Sequence, residues 1–185
     1  MLICPLDYRY GRSAMKAVFS EENNLRTKLQ VEAALARAHA AVGDIPVEAA
    51  EEIARKATLE HVTLETVKKI EAETKHDIMA MVIALSKAAG EAGRYVHLGA
   101  TSNDIVDTAV ALEFKAMLDI IEQDLDELIS VLADKAERYR LTPMMGRTHG
   151  QFAIPTTFGF KLAGYLSEML RHRERVKEMR KRVCV

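Results

Sequence analysis

Thr101-Ser-Asn-Asp-Ile-Val-Asp-Thr-Ala-Val-Ala-Leu-Glu-Phe-Lys-Ala-Met-Leu-Asp-Ile-Ile-Glu-Gln-Asp-Leu-Asp-Glu-Leu-Ile-Ser-Val-Leu-Ala-Asp-Lys-Ala-Glu-Arg-Tyr-Arg140 contains neither glycine nor proline. Few sheets tolerate such a run, whereas a long helix does. Its first four residues match the Ser/Thr-x-x-Asp/Glu capping box that opens helices. The spacing predicts one unbroken helix over Asp104–Arg140, with a stripe of Met117, Ile121, Leu125, Leu128, Leu132, Ala136 and Tyr139. A helix of that length spans about 55 Å, whereas a compact globule of this chain length is about 40 Å across. The apolar stripes are therefore expected to find partners outside the body of the chain, in an antiparallel bundle that oligomerises by helix–helix packing.

Further helices are expected on both sides. Asn24–Val42 is rich in Ala, Leu, Lys, Arg and Glu and is closed by Gly43 and Pro46. Glu48–Ala57 reads as a short helix. Leu64–Ala89 reads as one helix, apolar on every face from Ile78 to Leu85 and so expected to be buried all round. Leu141–Gly159 breaks the pattern with Pro143, Gly146, Gly150, Pro155 and Gly159 and reads as a loop between helices. A last helix follows with Leu162, Leu166, Met169 and Val176 on one face. It shows no stop signal, which reads as a cut inside a longer chain. The expected fold is all-α, with an N-terminal helical domain over 1–100 and the first part of a long-helix bundle domain over 101–185.

Composition sets the function classes. The 185 residues carry 26 Lys+Arg against 27 Asp+Glu, so charge gives no argument for nucleic acid or an anionic membrane as partner. No apolar stretch approaches the roughly 18–20 residues of a membrane span, and the opening residues read as no signal peptide. Cys4 and Cys184 are the only cysteines, which excludes a disulfide framework and a CxxC zinc site. A cytoplasmic setting is expected.

Three stretches place reactive side chains at breaks in helical sequence. Thr74-Lys-His-Asp77 precedes the all-apolar segment. It reads either as a solvated helix rim with His76 packed, or as charges kept beside a buried segment for use. His97-Leu-Gly-Ala-Thr-Ser-Asn-Asp104 is a helix cap whose free N–H groups and two hydroxyls also suit a carboxylate or phosphate. Met144-Met-Gly-Arg-Thr-His-Gly-Gln-Phe-Ala-Ile-Pro-Thr-Thr-Phe-Gly159 gathers Arg147, His149 and Gln151 in a connection that needs none of them structurally. A metal site fits poorly, because His76, His97 and His149 form no HExxH-like pair. His39 and His61 read as structural or solvated, and His172 as part of a basic solvated face.

Thr101-Ser-Asn-Asp-Ile-Val-Asp-Thr-Ala109 and Arg147-Thr-His-Gly-Gln-Phe-Ala-Ile-Pro-Thr-Thr-Phe-Gly159 closely resemble the aspartase/fumarase superfamily, and within it the adenylosuccinate lyase family. The resemblance runs from Arg9-Tyr10 through Thr74-Lys-His-Asp77 to the end. It implies β-elimination of fumarate from adenylosuccinate to give AMP, and from the succinylcarboxamide intermediate of purine synthesis, with no metal or organic cofactor. It also implies a homotetramer whose active sites each take segments from three subunits.

By the same resemblance His149 is the general acid for the leaving nitrogen, and Thr101 and Ser102 hold a succinyl carboxylate. Lys75, His76 and Asp77 match a substrate-binding segment in which His76 assists proton handling. Arg9 and Tyr10 match a pair on the nucleotide phosphate, and His97 and Gln151 are neighbours of the site. The alternatives are argininosuccinate lyase, a carboxymuconate cycloisomerase, or a helical assembly module without catalysis. The family's serine-rich loop, Ser-Ser-x-Met-Pro-x-Lys-x-Asn, whose serine serves as general base, does not occur in residues 1–185. Residues 1–185 alone are therefore expected to lack lyase activity. Fumarate release by that purified polypeptide, followed by ultraviolet absorbance, would overturn this.

Overall fold

The computed structural model describes residues 10–183. It is all-α apart from one two-stranded hairpin. It divides into two compact units, Met1–Phe114 and Lys115–Val185.

In the first unit, α1 is Ser13–Val18 and α2 is Glu21–Ala41. The Asn23 N–H donates to Ser20 Oγ at 3.1 Å, and Glu21 and Glu22 lie at the positive end of the helix dipole. Leu25, Leu29, Ala33 and Ala36 recur every three or four residues and are all buried. Across them pack α3 (Val47–Lys56), which contributes Ala50 and Ile53, and α4 (Leu64–Thr74), capped by Thr63. Next come α5 (Asp77–Ala89) and a 3₁₀ turn, Gly90–Tyr95. The long helix α6, Ser102–Arg138, adds Ile105 to the same core.

The helix expected over Leu64–Ala89 is two helices. Lys75 turns left-handed (φ 56°), and its N–H closes α4 on the Glu71 carbonyl at 2.8 Å. His76 is then extended and caps α5 with its own ring, since the Met79 N–H donates to Nδ1 at 3.3 Å. Neither glycine nor proline marks the break, so periodicity alone ran through it. Burial all round from Ile78 to Leu85 also needs correcting. Ile78, Ala80, Met81, Ala84 and Leu85 are buried, but Met79, in the first turn beside the cap, is 45% exposed because the core covers one side there.

A side chain of α2 also ties down the approach to α6. His39 Nδ1 lies 2.8 Å from Asp44 Oδ2 and its Nε2 lies 2.9 Å from the Leu98 carbonyl. The Asp44 carboxylate, and then the Leu98 carbonyl, hold the imidazole above its ordinary pKa, since a ring between two acceptors is best served with both nitrogens protonated.

In the second unit, α6 from Lys115 onward leads to β1 (Pro143–Thr148), β2 (Gln151–Thr157) and α7 (Phe158–Val183). The stretch expected as a loop is thus largely a hairpin. Thr148 pairs with Gln151, leaving His149 (φ 50°) and Gly150 (φ 74°) as a two-residue turn. Positive φ at both central residues is the type I′ pattern, which suits the twist of paired strands. The hairpin's base is fixed by the Phe158 N–H to the Thr142 carbonyl and the Gly159 N–H to the Tyr139 carbonyl, both 2.9 Å. Gly159 permits that approach: a Cβ there would lie 2.4 Å from the Ala136 carbonyl oxygen. Arg180 bonds Asp119 and Glu122 at 2.7 Å each, pairing α7 with α6.

Among the described residues of this unit only Leu118, Gly159 and Leu162 are buried, whereas Phe152, Ile154 and Phe160 are each more than 70% exposed. No helix among the described residues is long and apolar enough to cross a membrane.

Gly159→Ala is expected to destabilise the protein by about 1–3 kcal/mol through backbone overlap. Gly164→Ala, where a Cβ meets nothing within 4 Å, should stabilise α7 by up to about 1 kcal/mol. Urea midpoints that move the same way in both variants would refute the close approach at Gly159. The tie at His39 has a pH signature. Because its folded pKa is raised, its contribution is complete below the ordinary value of about 6.5 and is lost as pH rises through the folded value. Stability of the wild type relative to His39→Gln should therefore fall as pH rises above about 6.5. Parallel pH curves would remove His39 from this role.

Candidate functional site

The non-glycine residues with positive φ among those described are Lys75, His97 and His149. Each lies in one of the three stretches that sequence reading singled out. Such backbone costs on the order of 1–2 kcal/mol for an L-residue and persists only where surrounding structure enforces it.

Lys75, His76 and Asp77 sit together at the α4–α5 junction. His76 Nδ1 accepts the Met79 N–H, so a neutral ring carries its proton on Nε2. The ring is half exposed, and its Nδ1 lies 3.8 Å from Asp77 Oδ1. His76 therefore belongs neither to the packed core nor to a helix interior. The Lys75 ammonium makes no ion pair to a described residue. Asp77 pairs with Lys28 of α2 at 3.5 Å, and both line a cavity of about 340 Å³ whose walls include Val67, Met81 and Glu113. Glu113 is buried there, its Oε1 accepting from Asn24 Nδ2 at 3.0 Å and Thr27 Oγ1 at 3.3 Å.

Thr101 and Ser102 stand at the start of α6, as the capping box requires. The Thr101 N–H donates to Asp104 Oδ2 at 2.9 Å, the reciprocal half of that box. Thr101 is exposed and Ser102 half-buried, and neither hydroxyl bonds a described residue. Two free hydroxyls and the N–H groups of a first turn are what an oxyanion needs. These two residues and Asp77 lie in the same unit, but Thr101 and Ser102 do not line the cavity at Asp77.

His97 precedes this cap, and a residue missed in the sequence holds it. Glu32, fully buried in α2, places Oε1 2.6 Å from His97 Nδ1 and accepts the His97 backbone N–H on Oε2 at 3.1 Å. Burial pushes the Glu32 carboxyl up, opposed by those hydrogen bonds from His97. Inside an Ala-rich helix a lone glutamate reads as solvated, and only its helical register with buried Leu29, Ala33 and Ala36 could have flagged it.

In the second unit His149 is the first residue of the hairpin turn, exposed, with no hydrogen bond to a described residue. Its Arg147 neighbour lies over the Phe152 ring at 5.4 Å, and Gln151 is exposed. Tyr10 is 66% exposed, and Arg9 lies outside the described residues. Among the described residues no group of three or more His, Cys, Asp or Glu side chains stands together to hold a metal ion.

Comparison with known proteins places these features in a family. The chain is 54% identical over its whole length to the adenylosuccinate lyase of Methanocaldococcus jannaschii and 55% identical to that of Pyrococcus horikoshii. It spans about 40% of the length of these curated relatives. Its fold superposes on 3-carboxy-cis,cis-muconate lactonizing enzyme from Pseudomonas putida with a TM-score of 0.89 and 39% identity, covering 97% of this chain and 42% of that one. A family model described as a lyase matches residues 7–185, and the chain belongs to that lyase family.

Proposed function

We propose that the complete protein is an adenylosuccinate lyase, acting on adenylosuccinate and on the succinylcarboxamide ribotide of purine biosynthesis. The observation that carries this reading is the 54–55% identity to enzymes of that name across the full length of the chain. Domains over 1–100 and 101–185, a cytoplasmic homotetramer, and sites assembled from three subunits belong to the same proposal. The large apolar side chains left exposed on the second unit, Phe152, Ile154 and Phe160 among them, support association with further copies.

The chemistry asked of the residues is β-elimination. A base removes a weakly acidic proton from the carbon beside a carboxylate, an acid protonates the departing nitrogen, and donors hold the charge that develops on the carboxylate. Thr101 and Ser102 suit the carboxylate, because their hydroxyls and the first-turn N–H groups are fixed by α6. His149 suits the acid: it stands at the tip of a two-residue turn, its imidazole bonded to none of the described residues. Lys75, His76 and Asp77 would contact the nucleotide, with the Nε2 proton of His76 as donor, and Arg9 and Tyr10 would meet its phosphate.

The likeness to a carboxymuconate lactonizing enzyme favours one second reading, a cycloisomerase. Both reactions need the carboxylate clamp, and only the lyase reading needs a leaving nitrogen and a nucleotide subsite. Offering the full-length protein adenylosuccinate and carboxymuconate separately decides between them. In the full-length enzyme His149→Ala should lower kcat for adenylosuccinate by about 10²–10⁴. An almost unchanged turnover would take the acid role away from His149.

A further inference from the structure

We infer that Glu32 is a positioning residue for the proposed reaction: through His97 it fixes both the backbone and the ring of the segment that leads into the Thr101–Ser102 cap. This rests on the reading of that cap as a carboxylate site and of His97 as its neighbour.

The geometry is a two-point clamp. Both oxygens of one buried carboxylate are spent on a single residue, Oε1 on the ring at Nδ1 and Oε2 on the peptide N–H. The peptide N–H can only donate, and a carboxylate accepting at both oxygens makes Nδ1 the ring's donor. In its neutral form the ring then carries its proton on Nδ1 and presents Nε2 as its remaining polar atom, while its side chain keeps 15% of its surface accessible. The same clamp offsets the cost of the left-handed backbone at His97, φ 62°. Glu32 and His39 are seven residues apart, hence on one face of α2. They hold consecutive residues, His97 and Leu98, four and three positions before Thr101. A buried acid with no task would have been better replaced by an apolar side chain.

The test uses the full-length enzyme labelled with ¹⁵N-histidine. In the wild type the His97 ring should show the Nδ1-protonated tautomer. In Glu32→Gln the amide has one acceptor for two donors. With its oxygen on the peptide N–H, its NH₂ faces Nδ1 and drives the proton to Nε2. The same tautomer in both proteins overturns the clamp.

Kinetically, Glu32→Gln should lower kcat/KM for adenylosuccinate by about 10–100-fold, by analogy with the loss on removing a partner that orients a metal-ligating histidine. The double variant Glu32→Gln/His97→Gln should be no worse than His97→Gln alone. Losses that multiply would mean that Glu32 acts on stability and not through His97. Glu32→Asp keeps the charge one methylene short, so it should retain the Nδ1-protonated ring and lose less activity than Glu32→Gln. The reverse order also overturns the proposal. If the wild type does not act on adenylosuccinate, the proposed function falls, and the ring-nitrogen comparison still decides the clamp.

Discussion

The first unit depends on one apolar core to which separate helices each give a large, fully buried side chain. Leu29 comes from α2, Ile53 from α3, Met81 and Leu85 from α5, and Ile105 from α6. Each such burial contributes about 1.5–3 kcal/mol, and none of the helices can slide without uncovering its own share. Two of the core residues matter beyond stability. Ile78 lies two positions after His76, and Ile105 three after Ser102. Packing therefore fixes the start of α5 and the start of α6, and it is at those starts that the capping ring and the paired hydroxyls stand. Polar groups can be left unsatisfied there because the next turn of each helix is locked.

Polar burial follows the same logic on a smaller scale. Glu32 and Glu113 are the buried acids among the described residues, and each is met by hydrogen-bond donors from another part of the chain. Glu113 gathers Asn24 and Thr27 from α2 beneath the cavity at Asp77, and Glu32 gathers the two donors of His97. Both tie α2 to the chain that forms α6 or leads into it. That helix is thus the frame from which the candidate segments of the first unit are suspended, through an ion pair at Lys28, a carboxylate at Glu32 and an imidazole at His39.

Much of this was legible in advance where a single physical signal dominated. The absence of glycine and proline after Ala100 predicted Asp104–Arg140, and the helix is Ser102–Arg138. Asn24–Val42 and Glu48–Ala57 became Glu21–Ala41 and Val47–Lys56. The signal failed where it was ambiguous. At Lys75 a left-handed lysine does the work usually left to glycine, so hydrophobic periodicity continued across the break. The hairpin was hidden because Gly146 and Pro155 interrupt both strands and neither alternates apolar with polar residues; the two-residue His149-Gly150 turn was the clue. The three candidate segments were found by the residue types they carry. The support at Glu32 was not, since a charged side chain on a helix declares its burial only once the opposite wall is in place; His39 read as structural or solvated, and its bonds to Asp44 and Leu98 make it structural.

The hairpin's pairing has a consequence for Arg147. Below the irregularity Met145 faces Pro155, and above it Arg147 faces Phe152, so two residues of β2, Ala153 and Ile154, stand against Gly146 alone. That extra residue is a β-bulge, and a Cβ on Gly146 would collide with the Ile154 carbonyl oxygen at 2.6 Å. Side chains alternate along a strand, so removing one residue from the pair would send Phe152 to the opposite surface and strip the guanidinium of the ring beneath it. The arm that carries the imidazole at its end is thus measured in whole residues, and a deletion of one amino acid would disturb it more than most substitutions along its length.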